Sequence, residues 1–321
     1  MKRLFTITAI LFTVLLGACG KDTNDAKEQK DLIYTSIYPI QYLTEQIVGD
    51  EATVKSVIPP GVDAHSFELS SKEMTDIAKG DAFIYLGSGM ESFAEATADA
   101  LKSHDVTLLE IGKHEELFIE GDGHDHGHDG HEDDEHAHEE NDHHHDHGDL
   151  DPHIWLDPLR MIDIGKIITA QLSELHPDYK KQYEENLKKL EEELTALDQQ
   201  FVDTLSKKKH KHVLVSHAAF GYWEDRYGIE QISISGLSSS NEPSQKDLAK
   251  ITKLAEEKQM NYVLYDQTGT NRVAKIVQDQ IGAEERVLHN LEVLRDEDIN
   301  NKDDYISLMQ HNLKILDEVT K

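Results

Sequence analysis

The chain has one cysteine, Cys19, in 321 residues. A lone thiol forms no internal disulfide and no paired-cysteine metal or redox site. Basic charge is scarce: 32 Lys+Arg stand against 63 Asp+Glu, for a net charge of −31. Phosphate backbones would be repelled, which argues against a nucleic-acid partner and is compatible with a cation as ligand. Aromatic residues are only 7% and hydrophobic residues 38%, low but enough for true cores. The length suits about two domains of ordinary size. Long apolar runs are also missing. The longest, residues 4–16, has thirteen residues, short of the roughly 20 that span a bilayer.

That run follows Lys2 and Arg3 and closes on Leu16-Gly17-Ala18-Cys19. It has the build of a secretory leader, residues 1–18. Its end resembles a bacterial lipobox, in which Cys19 becomes the lipidated first residue of the mature chain. Two or three acyl chains anchor stably where one binds marginally. The polar stretch after Cys19, to residue 31, reads as a flexible tether. The mature protein is thus expected on the outer face of the cytoplasmic membrane.

Beyond the tether, short apolar runs alternate with helical patterns. Strands are expected at 32–38, 54–58, 82–86 and 107–111, with helices around 40–48, 71–79 and 91–102. A second set follows, with strands at 213–216, 231–234, 262–265 and 286–288 and helices near 219–227, 244–258, 271–281 and 303–318. This order predicts an α/β protein with mostly parallel sheets in two lobes, 32–157 and 209–321. Residues 158–208 lie between them. Pro158 opens one helix to about Leu175. After His176-Pro177 a longer helix runs to about Ser206, with Tyr183, Leu187, Leu190, Leu194, Leu197, Phe201 and Leu205 on one face. A single long helix would make a stiff lobe-to-lobe link. The pattern lasts only about three heptads, so a monomer is expected over a coiled-coil dimer.

Residues 121–149 stand apart. They hold ten His, twelve Asp or Glu, five Gly, one Ala and one Asn. Such a segment buries nothing to offset its ordering entropy and is expected to be a disordered loop. Its imidazoles, His124, His126, His128, His131, His136, His138, His143, His144, His145 and His147, form a weak multi-site sponge. Nitrogen ligands favour Zn, Cu or Ni over Mg or Ca. The spacing is too irregular for one tight geometry.

A tight site needs ligands on rigid elements. His65 follows the second expected strand in PPGVDAHSFE, His217 ends VLVSH, and Asp266 ends YVLYD. These lie beyond the carboxyl ends of strands, where open α/β sheets bind ligands. His153 sits in DPHIWLDP, between the acidic loop and a helix start. Three imidazoles and one carboxylate make a plausible tetrahedral Zn²⁺ set. A lone histidine is more often a cap or an internally bonded group, and His104, His176, His210, His212, His289 and His311 are read that way.

The lipobox, PPGVDAHSFE, the His/acid tract before DPHIWLDP, the long middle helix and VSHAAFGY together resemble the metal-binding lipoproteins of ABC importers, in their zinc-specific branch. The resemblance covers essentially the whole mature chain in order. It implies two Rossmann-like lobes joined by one long rigid helix, with the ion in the cleft. The partners it implies are an ABC permease and its ATPase, and the activity is delivery of Zn²⁺, not catalysis. It maps three ligands onto His65, His153 and His217. Manganese binders of the family usually carry Glu in place of His217. For the fourth ligand Asp266 is the match, with Glu68, Asp63 and water as alternatives. Other readings are a manganese-binding relative, a surface adhesin, or a secreted zinc hydrolase, for which no HExxH is present. The lipobox generates a first prediction. Cys19→Ala should leave the protein unprocessed or released, and unchanged processing with membrane retention in a fractionation assay would contradict it.

Overall fold

Among the described residues, eight strands and two long helices frame the candidate ligands. The computed structural model describes residues 30–121, 150–238, 243–268 and 271–321. The expectations for the leader, Cys19 and the tether up to residue 29, and for the His-rich segment at 122–149, lie outside the described residues. The first half runs β1 (Asp31–Thr35), α1 (Tyr38–Val48), β2 (Ala52–Ser56), α2 (Ser71–Ile77), β3 (Ala82–Tyr85), α3 (Ser92–Leu101) and β4 (Thr107–Glu110). Its sheet has the order β2-β1-β3-β4, with every pair parallel. Central β3 is buried along its whole length, while edge strand β2 alternates buried and exposed, as a parallel sheet covered on both faces requires.

Two helices follow, α4 (Pro158–Leu175) and α5 (Lys180–Leu205). Asp157 caps α4 by accepting from Leu159 N–H, and Pro158 occupies its first turn. A Cβ at Gly165 would meet Leu187 Cδ1 at 3.0 Å, so the glycine lets the two helices approach closely. The second half repeats the first: β5 (His212–His217), α6 (Gly221–Tyr227), β6 (Glu230–Ser235), α7 (Gln245–Glu257), β7 (Tyr262–Tyr265), α8 (Arg272–Ile281) and β8 (Glu284–Val287), closed by α9 (Asp296–Asn301) and α10 (Tyr305–Val319). Its order, β6-β5-β7-β8, is again all parallel. The architecture is two parallel-sheet α/β lobes with a 26-residue connecting helix.

The two lobes share a core. One cluster runs from Ile33 and Phe83 through Leu43, Met161, Leu194 and Phe201 to Val215, Trp223 and Leu316. Only the outer face of the second sheet is separate, around Leu214, Val263 and Val277. The alternation of β5 sends Val213 and Val215 to the shared core and Leu214 to the other. Buried Asp198 on α5 takes two bonds from Arg226, at 2.7 and 2.8 Å, and one from Tyr227. This pins the connector to α6.

Two boundaries differ from expectation. The first strand ends at Thr35, because Pro39 stands in the first turn of a helix that takes up the rest of the apolar run. The terminal helix is preceded by α9, which stops at Lys302 in a left-handed conformation, φ 61°. Asp304 then caps α10 by accepting from Ser307 N–H. Among the described residues no helix is long and apolar enough to cross a membrane. Phe201 is fully buried between the rings of Trp223 and Tyr227. Phe201→Ala should cost about 3–5 kcal/mol of unfolding free energy, and a urea midpoint shift equivalent to under about 1 kcal/mol would contradict the shared-core description.

Candidate metal centre

In each sheet the strand order reverses at one place, between β1 and β3 and between β5 and β7. Crevices at such switch points, outside the carboxyl ends of strands, are where open α/β sheets bind ligands. His217 is the last residue of β5, and Asp266 follows β7 directly. His65 lies in the connection after β2, where Asp63 Oδ1 accepts from the backbone N–H of His65 (2.9 Å) and Ser66 (3.2 Å). That side-chain turn shapes the loop. His153 follows an isolated bridge between Glu120 and Leu150 and opens a short 3₁₀ turn, Ile154–Leu156.

The structure brings His65, His153 and His217 together around one carboxylate, Glu292, in the connection after β8. Glu292 Oε1 lies 3.6 Å from His65 Nε2, 3.6 Å from His153 Nε2 and 3.9 Å from His217 Nε2. Ligand atoms of His65, His153 and Glu292 all fall within 4.8 Å of one another. A tetrahedron with bonds of about 2.0–2.1 Å has edges of about 3.3–3.4 Å, so the three distances to Glu292 are slightly longer than such edges, and His217 stands outside the group that meets within 4.8 Å. All four atoms are buried and lack a hydrogen-bond partner among the described residues. Leaving one such group unsatisfied costs roughly 1–3 kcal/mol, and four facing a common point is the donor set a cation completes.

Two carboxylates aim the rings. Asp151 Oδ1 lies 2.8 Å from His153 Nδ1, and Asp266 Oδ2 lies 3.1 Å from His217 Nδ1. An ionised carboxylate only accepts, so each Nδ1 carries a proton and each Nε2 is the nitrogen turned to the centre. Asp266 is itself held by Ser216 Oγ–H and by the backbone N–H and hydroxyl of Thr268. Asp266, expected as the fourth ligand, therefore stands behind His217. The carboxylate facing the three Nε2 atoms is Glu292, which reading the sequence missed. Its signal was available: like His217 and Asp266 it lies beyond the carboxyl end of a strand, here β8 at the edge of the second sheet. Asp63 is engaged in the turn before His65, and Glu68 is exposed. Other histidines lie against carboxylates elsewhere: His289 is 3.1 Å from Asp298, His212 2.7 Å from Glu230, and His176 3.2 Å from Asp31.

The electrostatics of the cage follow from burial and charge. Burial pushes the His153 imidazole down, but Asp151 and Glu292 outweigh it and lift it to about 9. Burial pushes Glu292 up, and the neighbouring imidazoles of His153 and His65 outweigh it and hold it well below the usual carboxylate range. Asp266 is likewise lowered by His217 against the effect of burial. An ion entering the cage must therefore displace a proton from His153.

Two parallel sheets that close a buried three-imidazole, one-carboxylate cage define a two-lobed α/β binding protein for a single small cation. The chain belongs to the ZnuA family, described as zinc-uptake complex component A, periplasmic; the family model matches residues 33–319. It is 34% identical over 317 residues to the high-affinity zinc uptake system protein ZnuA of Bacillus subtilis, covering 98% of this chain and 95% of that protein. It is 33% identical over 329 residues to the zinc-binding lipoprotein AdcA of Streptococcus pneumoniae, covering 100% of this chain but 61% of AdcA. The chain thus spans about three fifths of that relative. Among solved structures, the Zn(II)-bound ZnuA-like domain of the pneumococcal AdcA superposes with a TM-score of 0.73 at 31% identity, covering 91% of this chain and 99% of that one.

The raised His153 sets a pH dependence. Below about pH 9 His153 holds a second proton, so binding a cation releases it and weakens by up to about tenfold per pH unit on acidification. Calorimetry in buffers of different ionisation enthalpy should find about one proton released per ion near neutral pH. Affinity that does not change between neutral pH and about pH 9 would contradict the assignment.

Proposed function

We propose that this chain captures Zn²⁺ outside the cytoplasm and delivers it to an ABC permease. The observation that carries the reading is the set of four buried donor atoms without hydrogen-bond partners among the described residues, His65 Nε2, His153 Nε2, His217 Nε2 and Glu292 Oε1. Three imidazoles and one carboxylate suit four-coordinate zinc, while Mn²⁺ favours carboxylate and water. Catalytic zinc sites keep one position open for water. Here Glu292, 1% exposed, occupies that position, which supports binding and release over hydrolysis.

The names of the relatives support the same reading, since AdcA is called a zinc-binding lipoprotein and ZnuA a zinc uptake protein. Cys19 would anchor the chain to the outer face of the membrane, and His124 through His147 would concentrate the ion near the cage by multivalency.

Removing a direct ligand should cost more than removing an orienting carboxylate. His65→Ala or Glu292→Ala should weaken zinc binding by roughly a hundredfold to a thousandfold, about a quarter of the 10–16 kcal/mol typical of buried zinc. Asp266→Ala should cost about 10–100-fold. Competition titrations against a chelator decide, and an Asp266 loss larger than the Glu292 loss would return Asp266 to the ligand set.

A further inference from the structure

The turn that carries Glu292 is fixed by residues adjacent in sequence to the other members of the cage. Asn290 Oδ1 accepts from Glu292 N–H at 3.1 Å and from Gln267 Nε2 at 2.6 Å. Gln267 Oε1 in turn accepts from Asn290 N–H at 2.8 Å. The Trp155 indole N–H donates to Asn290 C=O at 2.7 Å. Gln267 directly follows Asp266, which orients His217; Trp155 lies two residues after His153. Leu291 is held in a left-handed conformation, φ 62°, and its N–H donates to His289 Nδ1. The Glu292 C=O accepts from Tyr38 N–H, at the start of α1 in the other lobe, at 2.8 Å. All three side chains, Trp155, Gln267 and Asn290, are buried. One amide pair and one indole therefore tie together the segments bearing His153, the His217 orienter and Glu292.

We propose that Gln267, Asn290 and Trp155 are positioning residues that set the metal preference of the cage, by holding Glu292 at the distance and angle a four-coordinate ion needs. The inference rests on the zinc-site reading above. Zn²⁺ accepts four donors, whereas Mn²⁺ favours an octahedral, oxygen-rich shell. To offer a second carboxylate oxygen or admit water, Glu292 must shift, and its backbone must shift with it. Both backbone groups of Glu292 are already bonded, so the clamp opposes that movement. Loosening it lets the shell expand, which helps Mn²⁺ relative to Zn²⁺.

The test uses the whole mature protein and Zn²⁺, Mn²⁺ and Co²⁺ as probes. Gln267→Met keeps the side-chain length and removes every bond to Asn290. Trp155→Phe keeps an aromatic ring in the core and removes the indole donor together with some buried volume, and it is a second, independent variant should Gln267→Met lose the fold. Competition titrations should show the Zn²⁺-over-Mn²⁺ preference falling by about tenfold or more in Gln267→Met, and by less in Trp155→Phe. The intense visible bands of four-coordinate Co²⁺ should weaken in the same order. If both variants keep the wild-type preference ratio and Co²⁺ spectrum, with affinities for the two ions falling together or only thermal stability lost, the residues are structural and the proposal is overturned. Weak Co²⁺ bands in the wild type, or unchanged zinc affinity in Glu292→Gln, would instead overturn the zinc-site reading and the clamp with it.

Discussion

Four polar atoms are buried at one point with no hydrogen-bond partner among the described residues: three imidazole nitrogens and one carboxylate oxygen. A fold does not keep such groups dry without compensation. A proton on His153 beside ionised Glu292 supplies part of it. In the proposed state a divalent cation supplies all of it. Binding and proton release are then two sides of one constraint, and acid weakens the site because protons compete for the same lone pair.

The rest of the molecule keeps that constraint in place. The parallel sheets bring strand ends from both lobes to the same crevice, and the carboxylates of Asp151 and Asp266 fix which nitrogen faces inward. The shared core, filled by α4 and α5, makes the lobes one packed body on the side where the connector runs. The Glu292 turn reaches across as well, through Tyr38 N–H to Glu292 C=O and Gly61 N–H to Leu294 C=O. Separating the lobes at this seam would move Glu292 and His65 apart. A release step that opens the cleft would therefore dismantle the cage at its carboxylate edge.

Much of the fold was legible because its signals are local. The strand runs at 82–86 and 262–265 are apolar from end to end, and the face of α5 repeats at helical spacing, so periodicity identified them. Where the apolar run continued through Ile37 and Tyr38, the pattern did not mark the change from strand to helix, and only Pro39 carried the signal. The three histidines were legible from strand ends and from the segments that resemble importer lipoproteins. Asp266 and Glu292 show the limit. Both carboxylates lie after strands of the second sheet, and sequence position does not say which face of a histidine ring each will meet. That is decided by Ser216 and Thr268 drawing Asp266 behind His217, and by Asn290 turning Glu292 inward, contacts between residues as far as fifty positions apart.

The most direct measurement is a crystal structure of the zinc-loaded protein with anomalous diffraction at the zinc edge. One anomalous peak is expected, about 2.0–2.2 Å from Nε2 of His65, His153 and His217 and from an oxygen of Glu292, in tetrahedral geometry, with Asp266 still behind His217. A zinc bound through Asp266, or six-coordinate with water, or absent from this cage, would contradict the account.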